Sequence, residues 1–219
     1  MKRARRCSTP QCSLTACVAL LLAAQTSVAH AWSLEITSGA RRLFLHVGDG
    51  ALSGQQGTLN GPAGTSGIVN TVQVSPSVNE LLSGAALTMT SNSTQSVSLY
   101  GGGNITCPTP ERQVMIGAGY RRNNGSGNAV LTVTSPSNLI NLATGDTIPI
   151  TQISWTVSAA NSNVPGVIPA GTFTAGTQTL ATVSANTYIE NCHTFIYANS
   201  AVRAQGTYTG RVTYTLTSP

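Results

Sequence analysis

A chain of 219 residues has room for one large domain or two small ones. Charged residues make up only 8% of it against 22 glycines, which excludes a coiled coil and a charged disordered tail. The formal net charge of +5 would suit a nucleic-acid partner, but the distribution of charge removes that reading. Lys2, Arg3, Arg5 and Arg6 precede an apolar run over 16–24 and the small-residue site Ala29-His30-Ala31. These are the n-region, h-region and cleavage site of a secretory signal peptide, residues 1–31.

Cleavage after Ala31 leaves residues 32–219 as one mature domain with seven arginines, no lysine and six acidic residues, a net charge of +1. The apolar run falls well short of the roughly 20 residues that span a bilayer, and no later stretch is apolar enough, so no membrane span is expected after cleavage. The expected location is the periplasm in transit, then the cell surface or the extracellular medium. Cys7, Cys12 and Cys17 leave with the signal, and only Cys107 and Cys192 remain. Two cysteines in an oxidising compartment predict one disulfide.

Along the mature chain the apolar residues alternate with period 2, the pattern of half-buried strands, and no helical stripe is evident. Trp32, Leu34 and Ile36 share one face of a first strand, and Leu43, Leu45 and Val47 share one face of a second. Residues 48–67 hold seven glycines and Pro62 and read as a long surface loop. Strands are predicted at 68–74, 86–90, 96–100, 113–120, 129–134, 152–157, 172–174, 178–183, 188–197 and 207–217. The Asn- and Gly-rich run 123–128, beside the surface arginines Arg121 and Arg122, is predicted to close a hairpin, because these residues accept positive φ. Short strands with this punctuation predict an all-β, antiparallel β-sandwich. The last strand is the longest; its 11 residues would span about 36 Å, with Tyr208, Val212, Tyr214 and Leu216 on one face and Thr or Arg on the other.

The tail Gly206-Thr207-Tyr208-Thr209-Gly210-Arg211-Val212-Thr213-Tyr214-Thr215-Leu216 resembles the closing strand of the spore coat protein U family. That family includes subunits of archaic chaperone-usher pili, or fimbriae. The resemblance implies an immunoglobulin-like sandwich that lacks one strand and receives it from the N-terminal segment of the next subunit. It also implies a role in a surface fibre or in cell adhesion, self-assembly or assembly with other pilus-like subunits, and delivery by a periplasmic chaperone and an usher. Trp32, Leu34 and Ile36 are then candidate donor residues, and Tyr208, Val212, Tyr214 and Leu216 the row they would join.

Reactive groups are sparse. His46 and Asp49 are close in sequence, but no Gly-x-Ser-x-Gly elbow accompanies them. No carboxylate pair is singled out by spacing, and His46, His193 and the two cysteines lack the close spacing of a zinc site. Val47-Gly48-Asp49-Gly50 lacks the successive acidic ligands of a calcium loop and reads as a turn. The chain is therefore expected to be non-enzymatic and free of cofactor, metal and nucleic acid. Its function class is structural, through strand edges, with a soluble module that binds carbohydrate on Gly-rich end loops as the alternative.

Overall fold

The computed structural model describes residues 34–35, 38–50, 70–98, 106–123, 127–158 and 168–219. The predicted signal segment, Trp32, Ile36, most of the Gly-rich loop and the centre of the 123–128 turn lie outside the described residues. In chain order the strands are β1 (Leu34–Glu35), β2 (Arg42–Val47), β3 (Val72–Gln73), β4 (Leu87–Thr88), β5 (Thr90–Ser91), β6 (Val114–Arg121) and β7 (Ala129–Ser135). They continue as β8 (Asn138–Ile140), β9 (Thr147–Pro149), β10 (Ile153–Ser158), β11 (Gly171–Thr172), β12 (Gly176–Val183), β13 (Thr187–Tyr197) and β14 (Thr213–Thr217). One short helix, α1 (Val78–Ser83), lies between β3 and β4.

The pairing is antiparallel and the fold is an all-β sandwich. The larger sheet runs β11-β10-β13-β6-β2, and the smaller runs β12-β7-β14. The central strand β13 takes β6 along Thr187–Asn191 on one edge and β10 along Cys192–Tyr197 on the other. The two remaining stretches of edge take short strands: β1 pairs Leu34 with Tyr188 and Glu35 with Thr187, and β4 pairs Leu87 with Tyr197. Two small ladders, β3 with β5 and β8 with β9, stand apart from these sheets.

Alternation explains the core. Val114, Ile116, Ala118 and Tyr120 of β6 and Ile189, Phe195 and Tyr197 of β13 pack against Leu131 and Val133 of β7 and Leu180 and Val183 of β12. Every residue of β6 is buried, so its opposite face is covered too. There Met115 lies in a second cluster with Cys107 and Cys192, which form the predicted disulfide with Cα atoms 5.5 Å apart. The bond straps the segment before β6 onto the outer face of β13.

Four sequence expectations are corrected. Residues 207–217 are not one strand: Thr209 bridges to Ile140, Gly210 lies so close to Leu139 that a Cβ would sit 2.6 Å from its side chain, and the regular ladder begins only at Thr213. The 123–128 run does not join hairpin partners, since β6 belongs to the large sheet and β7 to the small one, so the chain crosses the sandwich there. Arg121 is not a surface residue but only 7% exposed, with Nε donating to the carbonyl of Ala40 at 3.2 Å. Finally, a helix is present. Ser77 and Glu80 form a reciprocal capping box and Gly84 closes the last turn at φ 65°, a local signal that hydrophobic periodicity cannot reveal in six residues.

Gly117 is fixed by close approach, because a Cβ there would stand 2.0 Å from the Tyr188 hydroxyl. Gly117→Ala should therefore displace the Tyr188 ring and destabilise the protein by about 1–3 kcal/mol, read as a lower urea midpoint. An unchanged midpoint would show that the ring moves freely.

Candidate functional site

Three places among the described residues concentrate polar or unpartnered groups. The first is the outer face of the large sheet, where cross-strand register sets the rows Phe44-Gly119-Tyr188 and His46-Gly117-Glu190. Glycine at both β6 positions leaves room for Tyr188, whose hydroxyl donates to Glu190 Oε2 at 2.7 Å. Burial pushes the Glu190 carboxyl up, against hydrogen bonds from Tyr188, Ser98 and Thr106. His46 is 1% exposed, and burial lowers it to about 4. Thr106 adjoins Cys107, so the disulfide strap also carries a hydrogen-bonding partner of Glu190.

Next to His46 the chain turns through Gly48, at φ 58°, into a polar clasp. Asp49 accepts from the Thr94 amide at 2.9 Å, from its hydroxyl at 3.0 Å and from Asn70 Nδ2 at 2.8 Å. Desolvation would raise this carboxyl, but the hydrogen bonds from Asn70 and Thr94 outweigh it and hold Asp49 below its usual range. The Gly-Asp-Gly turn is thus a structural tie between β2 and the 70–73 and 91–95 segments. Among the described residues, no group of three or more His, Cys, Asp and Glu could hold a metal ion.

On the core face of β13, His193 stacks on Trp155 at 6.3 Å and contacts Phe195 at 6.2 Å. Among the described residues, both of its ring nitrogens and Asn191 Nδ2 are buried without a hydrogen-bond partner. Asn191 Oδ1 accepts from Ile168 N at 2.9 Å, and Trp155 Nε1 donates to Pro169 O at 2.9 Å, so the two side chains dock the segment leading into β11. Burial alone lowers His193 to about 3.

The third place is one side of the sandwich, open among the described residues. On the opposite side the sheets are joined by the chain itself, which passes from β11 into β12, and Gln178 caps that corner. Its Oε1 accepts from Thr174 N at 2.8 Å and its Nε2 donates to Thr172 O at 3.0 Å. β12 is further interrupted by a bulge between Thr179 and Ala181. On the open side both edge strands, β2 and β14, end their sheets. Arg41 Nη2 donates to Ser218 Oγ at 2.6 Å across their ends, and β14 has no bulge and, among the described residues, no ladder partner beyond β7.

The sequence candidates divide between these places. Cys107 and Cys192 form the strap. Tyr208, Val212, Tyr214 and Leu216 all lean on the core while staying partly exposed, although only the last two belong to β14. Leu34 lies in β1, paired with its own chain. No family model matches this sequence, and neither a curated protein nor a solved structure does.

The two histidines set the acid response. An unfolded histidine takes up its proton near pH 6.5, whereas the fold refuses it until about 4 at His46 and about 3 at His193. Stability is therefore full above 6.5 and falls by about 1.4 kcal/mol per pH unit for each histidine as the pH drops toward those values. Glu190, pushed up, has the opposite sign, since its contribution is present at low pH and lost as the pH rises through its folded value. Urea midpoints between pH 7 and 4.5 should decline, less steeply in His193→Phe and more steeply in Glu190→Gln; equal slopes in all three proteins would refute the assignment. Reduction of the disulfide, which closes an 85-residue separation, should cost about 2–5 kcal/mol in the same assay.

Proposed function

We propose that the protein is an exported, non-enzymatic structural subunit or accessory of a surface fibre, similar to pilus or spore-coat-U proteins, that assembles through sheet edges. The observation that carries this reading is the β14 edge. It is regular and unbulged, its outer main-chain groups have no strand partner among the described residues, and its inward side chains Tyr214 and Leu216 pack on the core while staying partly exposed. Edges that natural monomers leave unprotected in this way are templates for a strand from another molecule. The β12 side, bulged and capped by Gln178, has the usual protection.

A strand laid along β14 would pair with its outer amides and carbonyls and complete the burial of Tyr214 and Leu216. The N-terminal segment 32–37 of a second copy is the proposed donor. Among the described residues its own-chain ladder on β13 spans two, Leu34 and Glu35, which is little to give up in exchange. A periplasmic chaperone would shield the same edge before assembly, and an usher would export the subunits.

Size-exclusion chromatography of the mature chain should show oligomers or ladders. Leu216→Lys places an inward-pointing charge on the edge and should abolish them, while shifting the monomer Tm by only a few degrees. A chain starting at Arg41 should also fail to assemble, yet bind an added 32–40 peptide. A mature protein that stays monomeric at every concentration, or a truncated chain that cannot fold, would overturn the proposal and favour a self-sufficient binding module.

A further inference from the structure

The disulfide and a buried carboxyl group share one cover. Glu190 and Cys192 stand two residues apart in β13 and therefore on the same outer face, and Cys107 and Cys192 are both fully buried. The cover is the strap of chain before β6. Its parts around Ser96–Ser98 and Thr106–Cys107 are tied together, because the Ser96 carbonyl accepts from the Thr106 amide at 2.9 Å and from the Cys107 amide at 3.0 Å. Ser98 and Thr106 are buried in turn, and their hydroxyls hydrogen-bond the Glu190 carboxyl, as Tyr188 does from within the strand. Adjacent residues thus fasten the strap twice, Cys107 by a covalent bond and Thr106 by a polar one.

Among the described residues no cation faces Glu190. Across the ladders, β6 places Gly117 opposite it and Met115 beside the disulfide, and β10 places Ser158 opposite Cys192. Beyond Gly117, β2 contributes His46, whose burial keeps the ring neutral until the pH falls to about 4. The strap contributes hydroxyls. Burial consequently pushes the carboxyl up, and the hydrogen bonds from Tyr188, Ser98 and Thr106 offset only part of that rise.

A reductant needs access to sulfur, so a disulfide sealed in this way reacts only when the strap lifts. Lifting also admits water to Glu190. We propose that the strap is a pH-gated redox latch, held down over the disulfide by the protonated Glu190 and lifted, with the disulfide opened to reduction, when Glu190 ionises. With the strap lifted the carboxyl titrates like an ordinary glutamate near 4.5, whereas under the strap it keeps its proton to a higher pH. The stabilising effect of that proton is therefore complete below 4.5 and is lost as the pH rises through the covered value. His46 has the opposite sign, since an exposed ring takes up a proton near 6.5 that the covered one refuses until about 4. Through Glu190 the disulfide is guarded in acid and released in neutral or alkaline medium, whether or not the protein assembles through its strand edges.

The test uses a water-soluble trialkylphosphine, which reduces disulfides across the acid range. Phosphorus attacks one sulfur, the S–S bond breaks, and the other cysteine leaves as a thiolate that takes up a proton. Water then hydrolyses the thiophosphonium to the second thiol and the phosphine oxide, so the phosphine is oxidised by the two electrons that the disulfide gains. The quantity to measure is the reduction rate of the mature protein in urea divided by that of the folded protein at the same pH, read by alkylation and intact mass; the ratio cancels the reagent's own pH dependence. This protection should fall several-fold between pH 4.5 and 8 relative to that of Glu190→Gln, which keeps an oxygen for the hydroxyls but cannot ionise and which shares the His46 effect. Thr106→Val should steepen the native fall, because the lost hydroxyl bonds the carboxylate more strongly than the acid. Equal profiles in the native protein and Glu190→Gln would overturn the proposal, as would folded protein reduced as fast as unfolded at pH 4.5. Should Glu190→Gln not fold, the comparison with Thr106→Val decides, and parallel profiles there would overturn the proposal as well.

Discussion

Everything in the large sheet is registered on β13. Its 11 residues, Thr187–Tyr197, are long enough to be shared end to end by β6 and β4 on one edge and by β1 and β10 on the other. Because successive side chains alternate between faces, the same strand gives Ile189, Phe195 and Tyr197 to the sandwich core and Tyr188, Glu190 and Cys192 to the covered outer face. A one-residue slip would exchange these two sets, placing a carboxylate in the aromatic core and phenylalanine under the polar strap. The disulfide at Cys192 pins one face, and the stacking of His193 and Phe195 with Trp155 and Phe173 pins the other.

The polar groups on β13 come at a cost to stability. Glu190 is partnered by Tyr188, but His193 and the amide nitrogen of Asn191 are buried without partners, and removing such groups from water without replacement hydrogen bonds typically costs about 1–3 kcal/mol each. The disulfide and the aromatic packing offset that cost. His193 serves the fold as a flat, neutral ring among aromatics, and its neutrality is what ties stability to pH.

Much of this was legible in the sequence where a residue's role is local. The period-2 pattern of Val114, Ile116, Ala118 and Tyr120 and the long alternation of β13 identify strands regardless of their partners, and Cys107 and Cys192 are the two cysteines beyond the predicted signal segment. Partnership itself was not legible. Nothing near the Asn-Gly turn at 123–128 says that the strands on either side enter different sheets, and in the alternation Gly210 is one more small residue of a strand, because its close approach to Leu139 is a tertiary contact. The candidate row at the C-terminus was visible as chemistry in Tyr214 and Leu216, but that β14 ends its sheet follows only from the topology.

The Cys107–Cys192 bond also governs how the chain behaves under tension. If a fibre pulls on its subunits through their ends, force enters near β1 and β14 and can unravel only the residues outside the loop that the bond closes. The 85-residue separation between the cysteines corresponds to about 300 Å of extended backbone at roughly 3.5 Å per residue, and this length is withheld from extension while the bond lasts. β6, β7, β10 and β12 lie inside that protected loop, so a stretched subunit would keep the strands of both sheets covalently gathered. It would yield by shedding its terminal strands and could recover them when the tension falls.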